Sequence, residues 1–137
     1  MYLRSLVAAA LVAGGALACR SATAPAPGAQ VDLASVLPAG PAYITGTVVE
    51  RGSRLGREPS VLVATDPRDP MAHPVDRDGN RSAHVVLDAG VTVVHRDGRR
   101  AGANDVQPGH VVTAWVGPVE LRSLPPVVFG RVLVIEP

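Results

Sequence analysis

The chain contains no lysine and one cysteine, and aromatic residues make up only 3% of its 137 residues. A single cysteine excludes a disulfide within the chain. Because aromatic side chains are scarce, the core has to be built from valine, leucine, isoleucine and alanine. The 13 basic residues are all arginines and face 12 acidic residues, so the chain has no excess of positive charge that would favour nucleic acid as a partner.

Motifs of common catalytic sites are also missing from the sequence. There is no Gly-x-Ser-x-Gly nucleophile elbow, no His-Glu-x-x-His zinc motif and no glycine loop that would hold phosphate. We therefore expect a protein that is not an enzyme and that needs no cofactor. A hydrolase with an unrecognised site is the least favoured alternative.

Residues 1–18 have the features of a signal peptide. Arg4 gives a positively charged start, and Leu6–Ala18 is an apolar run of 13 residues, too short to span a bilayer as a helix. The sequence GALAC at residues 15–19 resembles the bacterial lipobox, in which an acylated cysteine becomes the new N-terminus. Ala16 departs from the leucine that is usual at its position.

Cys19 is therefore the candidate lipidation site. An unpaired thiol in an exported protein needs an explanation, and attachment of a fatty acid such as palmitate supplies one. We expect a membrane-anchored protein of the bacterial cell envelope. The periplasmic side of an outer membrane is preferred, because Arg20 is not the aspartate associated with retention in the inner membrane. The alternative is an ordinary signal peptide cleaved after Ala18 or Ala22.

The rest of the chain predicts a tether and an all-β domain. Residues 19–41 are rich in alanine, proline, serine and glycine, as a flexible tether is, and only Val31–Leu37 could form a helical turn. In residues 42–137, short valine-rich runs alternate with glycine and proline, which is typical of strands joined by turns. Predicted strands cover residues 42–50, 60–65, 82–87, 91–95, 110–116 and 127–135. Six short strands favour a small barrel or sandwich, and Gly46 in mid-strand indicates a bulge or a sharp bend.

The loop at residues 66–81 contains one candidate metal motif. Asp76 and Asp78 alternate with other residues in DRDGN, as the oxygen ligands of a Ca²⁺ loop do. However, Arg81 stands where such a loop needs glycine, and no glutamate follows at the twelfth position. An ordinary turn is the alternative interpretation.

Histidines form a second candidate metal set. His84 and His95 flank a turn predicted at residues 88–90 and would face each other across a hairpin, with His73 arriving from the preceding loop. Two or three imidazoles would suit Zn²⁺ or Cu²⁺. None of these histidines has the close spacing of a strong motif, so each is alternatively an ordinary strand or surface residue.

Short motifs recur in a recognisable order between residues 43 and 135. They are ITGTVV at 44–49, SVLV at 60–63, VTV at 91–93, DVQPGHVVTAW at 105–115, GPV at 117–119, SLP at 123–125 and RVLVI at 131–135. This series resembles the YobA-like family of small exported bacterial proteins and lipoproteins, a domain of unknown function, and OB-fold-like barrels more generally. The resemblance implies a five- to six-stranded OB-like barrel with no known activity. Gly109 would then end a turn in a conformation that a β-carbon resists.

Two functions remain open at this point. The first is a non-enzymatic envelope module that binds a small ligand, a glycan or a protein on one face or at the barrel mouth. Its candidate ligand rim is Trp115, Arg122 and Ser123, although Trp115 is also expected to anchor the core or the mouth. The second is a metal-binding lipoprotein that uses His73, His84, His95, Asp76 and Asp78.

Overall fold

The structure is a computed structural model that describes residues 26–54, 56, 58–71 and 81–137. Within these residues the chain is almost entirely β, and no helix has the length and apolar character that a membrane span requires. A four-residue helix, α1 (Leu33–Val36), precedes the strands β1 (Ile44–Arg54), β2 (Glu58–Ala64), β3 (Ser82–Val86), β4 (Thr92–His95), β5 (Arg100–Ala101), β6 (Val111–Leu121) and β7 (Val127–Ile135). All six predicted strands are present, and β5 is the one that the sequence did not predict.

Five of these strands close into a ring. Their order is β1-β2-β3-β7-β6, and β6 pairs again with β1. The closing pair is β3 with β7, which run parallel and place His84 beside Val127 and Val86 beside Phe129. If the ring strands alone are numbered in chain order, the ring reads 1-2-3-5-4-1, which is the arrangement of an OB-type barrel. The predicted small OB-like barrel is confirmed.

The remaining two strands form a hairpin that extends the barrel wall along β7. β4 pairs in parallel with the second half of β7, over Val132–Ile135, whereas β3 pairs with the first half. β3 and β4 therefore follow one another along the same edge of β7. Between them the Gly90 N–H donates to Asp88 Oδ1 at 2.8 Å, which forms the predicted turn. The expectation that this turn joins two paired strands of a hairpin was wrong.

The barrel interior is a continuous layer of aliphatic side chains. Alternation in each strand sends one set inward, as Ile44 and Val48 do in β1. Each fully buried side chain of this kind stabilises the fold by roughly 2 kcal/mol before the conformational entropy of the chain is counted. The buried members are Ile44, Val48, Val61, Val63, Ala83, Val85, Leu87, Val93, Ala101, Val106, Val112, Ala114, Val128, Leu133 and Ile135.

Two glycines are required by the path of the backbone. A β-carbon on Gly46 would lie 2.6 Å from the carbonyl carbon of Ala64, so β1 and β2 can approach this closely only because Gly46 has no side chain. The bulge lies nearby, at Val49, where the pairing of β1 with β2 shifts register. Gly109 has φ +93°, and its N–H donates to the Val48 carbonyl at 2.8 Å. Gly109 therefore has the left-handed conformation that the sequence predicted.

Residues 28–37, which we call the N-terminal strap, lie against the outside of the barrel. The strap pairs with the tip of the β4–β5 hairpin, where the Gly28 N–H donates to the Arg100 carbonyl at 2.7 Å and the Val31 N–H to the Gly98 carbonyl at 2.9 Å. Its apolar side chains cover outward-facing residues of β4 and β7. The contacting groups are Val31, Leu33, Val36 and Leu37 on the strap, and Val94, Val132 and Val134 on the strands. This part of the chain differs from the flexible tether that its composition predicts, because those valines need an apolar cover.

Candidate functional site

A groove of about 450 Å³ lies at the end of the barrel where β1 begins, β2 ends and β3 begins. Its wall contains two aromatic side chains, Tyr43 and Trp115, and two arginines, Arg81 and Arg131, and its floor includes the chain at residues 38–42. This volume lies in the range that small-molecule sites in proteins have. We call it the aromatic groove.

Barrel topology brings these four side chains together from distant parts of the chain. Tyr43 immediately precedes β1, and its N–H donates to the Ala114 carbonyl at 2.8 Å. Arg81 immediately precedes β3 and is held by Thr65, whose Oγ1 accepts from the Arg81 N–H at 2.8 Å. Because β1, β2 and β3 are antiparallel, the start of β1 and the start of β3 share one barrel end.

The other two side chains come from the long β6–β7 pair. Trp115 faces outward on β6, opposite in direction to the buried Ala114. Arg131 lies at a register shift in β7, between Gly130, which pairs with Val116, and Val132, which pairs with Trp115. The extra residue at this shift is exposed, and it directs a charged side chain to the groove wall.

Trp115 has a structural contact as well as a groove surface. Its indole N–H donates to the Gly40 carbonyl at 3.2 Å, which ties the chain at residues 38–42 to the barrel. The ring also packs against the cluster under the strap, which contains Val132 and Val134. These contacts fix the indole while part of it lines the groove, so an incoming ligand would meet a ring that is already positioned.

Tyr43 contacts one acidic and one basic side chain. Its hydroxyl donates to Glu120 Oε2 at 3.1 Å, and the Arg81 guanidinium lies over its ring at 4.7 Å from the centroid. Burial raises the pKa of the Tyr43 hydroxyl above 10, and the hydrogen bond to Glu120 acts in the same direction, while the charge of Arg81 lowers that pKa by less. The phenol therefore keeps its proton at neutral pH and acts as a hydrogen-bond donor.

The two groove arginines differ from Arg96 and Arg51, whose guanidinium groups have side-chain partners. Arg96 is bonded to Glu136, with 2.8 Å from Nε to Oε2, and Arg51 donates to the side chain of Asn104 at 2.6 Å. Within the described ranges, neither Arg81 nor Arg131 has a carboxylate within 4.0 Å. Among the residues that the structure describes, the groove therefore presents two guanidinium groups without a carboxylate partner.

Two residues of the predicted ligand rim, Arg122 and Ser123, lie beside a different cavity. This shallow space of about 310 Å³ is bordered by Glu120 and by the chain that connects β6 to β7. Ser123 is bonded within its own turn, since its Oγ donates to the Pro125 carbonyl at 2.6 Å. Of the predicted rim, only Trp115 lines the aromatic groove.

Between the predicted strands at 110–116 and 127–135, the sequence predicts a Pro-rich excursion over residues 117–126, and the first half of this prediction was wrong. β6 continues to Leu121 and pairs with β7, Glu120 beside Val128 and Leu121 beside Val127. Pro118 is tolerated because this half of β6 lies beyond the residues that pair with β1, so one edge of the strand needs no backbone donor.

The predicted histidine pair is separated by the fold. His84 lies beside Val127 at the start of β7, and His95 lies beside Ile135 at its end. Eight residues of extended strand span roughly 26 Å, far beyond the reach of one metal ion. The expectation that His84 and His95 face each other was therefore wrong, because β3 and β4 follow one another along β7.

His84 instead lines a polar cavity of about 200 Å³ on the outer face of β1, β2 and β3, together with Glu50, Ser53 and Ser60. It is 5% exposed. The other predicted metal ligands, His73, Asp76 and Asp78, lie outside the described residues, as does Cys19. In the part of the chain that the structure describes, no three His, Cys, Asp or Glu side chains are close enough to hold a metal ion.

Comparisons of the chain with models of protein families, with curated proteins and with solved structures find no match. The likeness to the YobA-like family therefore stays a prediction that depends on the motifs quoted above.

Sequence reasoning missed three of the four groove side chains: Tyr43, Arg81 and Arg131. No motif joins them, because 38 residues separate the first two and 50 the last two. The available signal was the low aromatic content, which makes each exposed or half-exposed ring unusual. That signal applies to Tyr43 as much as to Trp115.

Proposed function

We propose that this chain is a non-enzymatic, lipid-anchored protein of the bacterial cell envelope whose barrel binds a small molecule in the aromatic groove. The supporting observation is the groove itself, which has a volume of about 450 Å³. It is lined by a fixed indole, a protonated phenol and two guanidinium groups that have no carboxylate partner in the described part of the chain. Aromatic walls with a few polar groups are the usual composition of a ligand site.

The chemistry of the groove favours binding over catalysis. Its lining residues are prolines, alanines, a valine, two aromatic residues and two arginines. Arginine stays protonated, and the raised pKa of Tyr43 keeps that hydroxyl protonated too, so neither can act as a base near neutral pH. These groups can orient and hold a ligand, which agrees with the absence of known activity in the family that the sequence resembles.

Attachment through Cys19 would hold the barrel near the membrane. The strap begins at residue 28, nine residues after Cys19, and nine extended residues span at most about 30 Å. The barrel would then stay close to the lipid headgroups, within reach of small molecules of the envelope. Labelling with a radioactive fatty acid tests the anchor: wild-type protein should be labelled and Cys19→Ser should not. Unlabelled wild-type protein would overturn this part of the proposal.

Native mass spectrometry tests the groove. Protein purified from its own envelope in mild detergent is expected to carry a small molecule. That molecule should be lost in Ala39→Trp, because Ala39 is an exposed residue of the groove wall and the larger side chain would fill the space. Ala34→Trp, on the exposed side of α1, is the matched control and should keep the ligand. Equal occupancy in both variants would exclude the aromatic groove as the site.

A further inference from the structure

We infer that the aromatic groove selects a ring-shaped organic anion, with the ring against Trp115 and Tyr43 and the negative group on Arg81 and Arg131. This inference rests on the proposed function and adds the chemical class of the ligand. A ring with one carboxylate, whether a sugar acid or an aromatic acid, is the simplest molecule that fits.

The charge of the groove supports an anion. Glu120 is the acidic side chain that approaches the groove, and it accepts the hydrogen bond of the Tyr43 hydroxyl instead of pairing with either arginine. Counted over the described residues, two guanidinium groups and one carboxylate leave one positive charge in excess at the groove. A neutral ligand would displace water from the two guanidinium groups without making up for the hydrogen bonds that this water forms. An anion would replace them with charge-assisted hydrogen bonds.

Arg81 is prepared for such a contact. Its backbone is fixed by Thr65 on the neighbouring strand, through the Arg81 N–H to Thr65 Oγ1 at 2.8 Å and the Thr65 N–H to the Arg81 carbonyl at 2.9 Å. Its guanidinium carbon lies over the Tyr43 ring, 4.7 Å from the centroid, and the residue is half-buried. A guanidinium carries five N–H donors in a planar fork, so a contact with one ring face leaves donors for a carboxylate.

The ring component follows from the fixed aromatic side chains. Trp115 is held by Gly40 and by the cluster under the strap, and Tyr43 is held by Glu120 and Arg81. Aromatic side chains whose edges are already bonded offer their remaining surface at little cost in conformational entropy. A flat or ring-shaped molecule makes the largest contact with such a surface.

The protein carries its own probe for the test, since Trp115 is the only tryptophan of the chain. Its fluorescence should be measured during titration with two acid and neutral pairs: glucuronate against methyl glucoside, and benzoate against benzamide. We expect at least one acid to bind saturably and at least about tenfold more tightly than its neutral partner. The pair that shows this difference identifies a sugar or an aromatic ring. Higher salt should weaken the binding.

Substitutions locate the charge. Arg131→Gln and Arg81→Gln should each weaken binding of that acid about tenfold, while the exposed Arg122→Gln, at the neighbouring cavity, should bind as the wild type does. Equal affinity for acid and neutral partners, no saturable signal from any of the four probes, or unchanged affinity in both groove variants would overturn the inference. If mass spectrometry meanwhile finds a neutral compound in the groove, the binding function stands and the anionic ligand class fails.

Discussion

The barrel interior and the aromatic groove differ in the residues that line them, although they share strands. Inside, fifteen buried residues are all aliphatic. In the groove, two aromatic and two arginine side chains lie together. On β6 the two regions are one residue apart, since Ala114 faces the interior and Trp115 faces the groove. Alternation along one strand therefore separates the residues that hold the fold from those available for a ligand.

This difference predicts how substitutions divide. A change in the interior should lower the free energy of unfolding in proportion to the packing lost. A change at the exposed groove residue Arg131 should leave stability nearly unaltered and change binding, whereas Trp115 also packs against the cluster under the strap. An interior change that altered binding alone, or a change at Arg131 that lowered stability alone, would show that the two regions are not independent.

The largest effect is expected at Gly46. In Gly46→Val the new β-carbon would collide with the backbone of Ala64, so β1 and β2 would have to separate. We expect a loss of about 4 kcal/mol or more, enough to prevent folding. Circular dichroism and urea unfolding measure it. Gly52→Val is the control on the same strand, because only a side-chain atom of Glu50 lies within 4 Å of a β-carbon there. Similar losses in both variants would contradict the explanation that a side chain at position 46 collides with Ala64.

Leu133→Ala should come next. Leu133 is fully buried in β7, and its truncation leaves a cavity among close-packed aliphatic side chains. We expect the free energy of unfolding to fall by about 3 kcal/mol in urea titration. Val119→Ala, at a side chain that is 54% exposed, should change it by less than about 0.5 kcal/mol. A decrease of less than about 1 kcal/mol in the free energy of unfolding for Leu133→Ala would mean that the interior is loosely packed.

The strap should contribute less than the interior. Leu33→Ala removes a partly buried side chain from the cluster over Val132 and Val134, and we expect a loss of about 1 kcal/mol. Ala34→Ser, on the exposed side of α1, should have no measurable effect. Hydrogen exchange would distinguish a docked strap from a tether: the N–H groups of Gly28 and Val31 should be protected in the wild type. Free exchange at both would contradict the docked strap.

The ion pair between Arg96 and Glu136 should have a small, pH-dependent effect. The hydrogen bond from Arg96 holds the pKa of Glu136 below its ordinary value of 4.5, and Thr113 Oγ1 also donates to this carboxylate. A lowered pKa in the fold means stabilisation that is complete above about pH 4.5 and is lost as pH falls through the folded value. Glu136→Gln should therefore cost up to about 1 kcal/mol at pH 7, and the difference from wild type should shrink toward pH 3. A difference that is independent of pH would contradict this assignment.

The smallest change in stability is expected at Arg131. Its exposed side chain has no ion pair among the described residues, so Arg131→Gln should alter the free energy of unfolding by less than about 0.5 kcal/mol. The same variant should lose about tenfold in affinity for an acid ligand. Measuring the free energy of unfolding and the ligand affinity in one preparation tests directly whether the groove and the interior are independent. A large loss of stability with unchanged binding would place Arg131 with the interior instead of the groove.

Local patterns were sufficient for the strands. Period-two alternation in residues 42–50 puts Ile44 and Val48 on one side of a strand, and the structure shows that both are buried. Valine-rich runs bounded by glycine and proline located six of the seven strands that the structure describes. β5 was missed because two residues carry no periodicity. The end of β6 was missed because Gly117 and Pro118 are ordinarily loop residues, and only the tertiary arrangement shows that one edge of this strand lacks a neighbour.

The groove could not be predicted in the same way. Trp115 stood out because it is the single tryptophan, but Tyr43, Arg81 and Arg131 carry no local sign of a common site. The histidines illustrate the opposite error. His84 and His95 are close in sequence and flank a turn, yet parallel pairing with opposite ends of β7 separates them.

The sequence by itself determined the all-β character and the aliphatic core, because both depend on the pattern of side chains within each short segment. Tertiary structure decided the rest. Parallel pairing of β3 and β4 with opposite ends of β7 separates the histidines. The strap covers Val132 and Val134, and the starts of β1 and β3 lie beside the β6–β7 pair, so that two aromatic rings and two arginines line one groove. Such arrangements depend on which strands become neighbours, and the local pattern of a strand does not specify its neighbour.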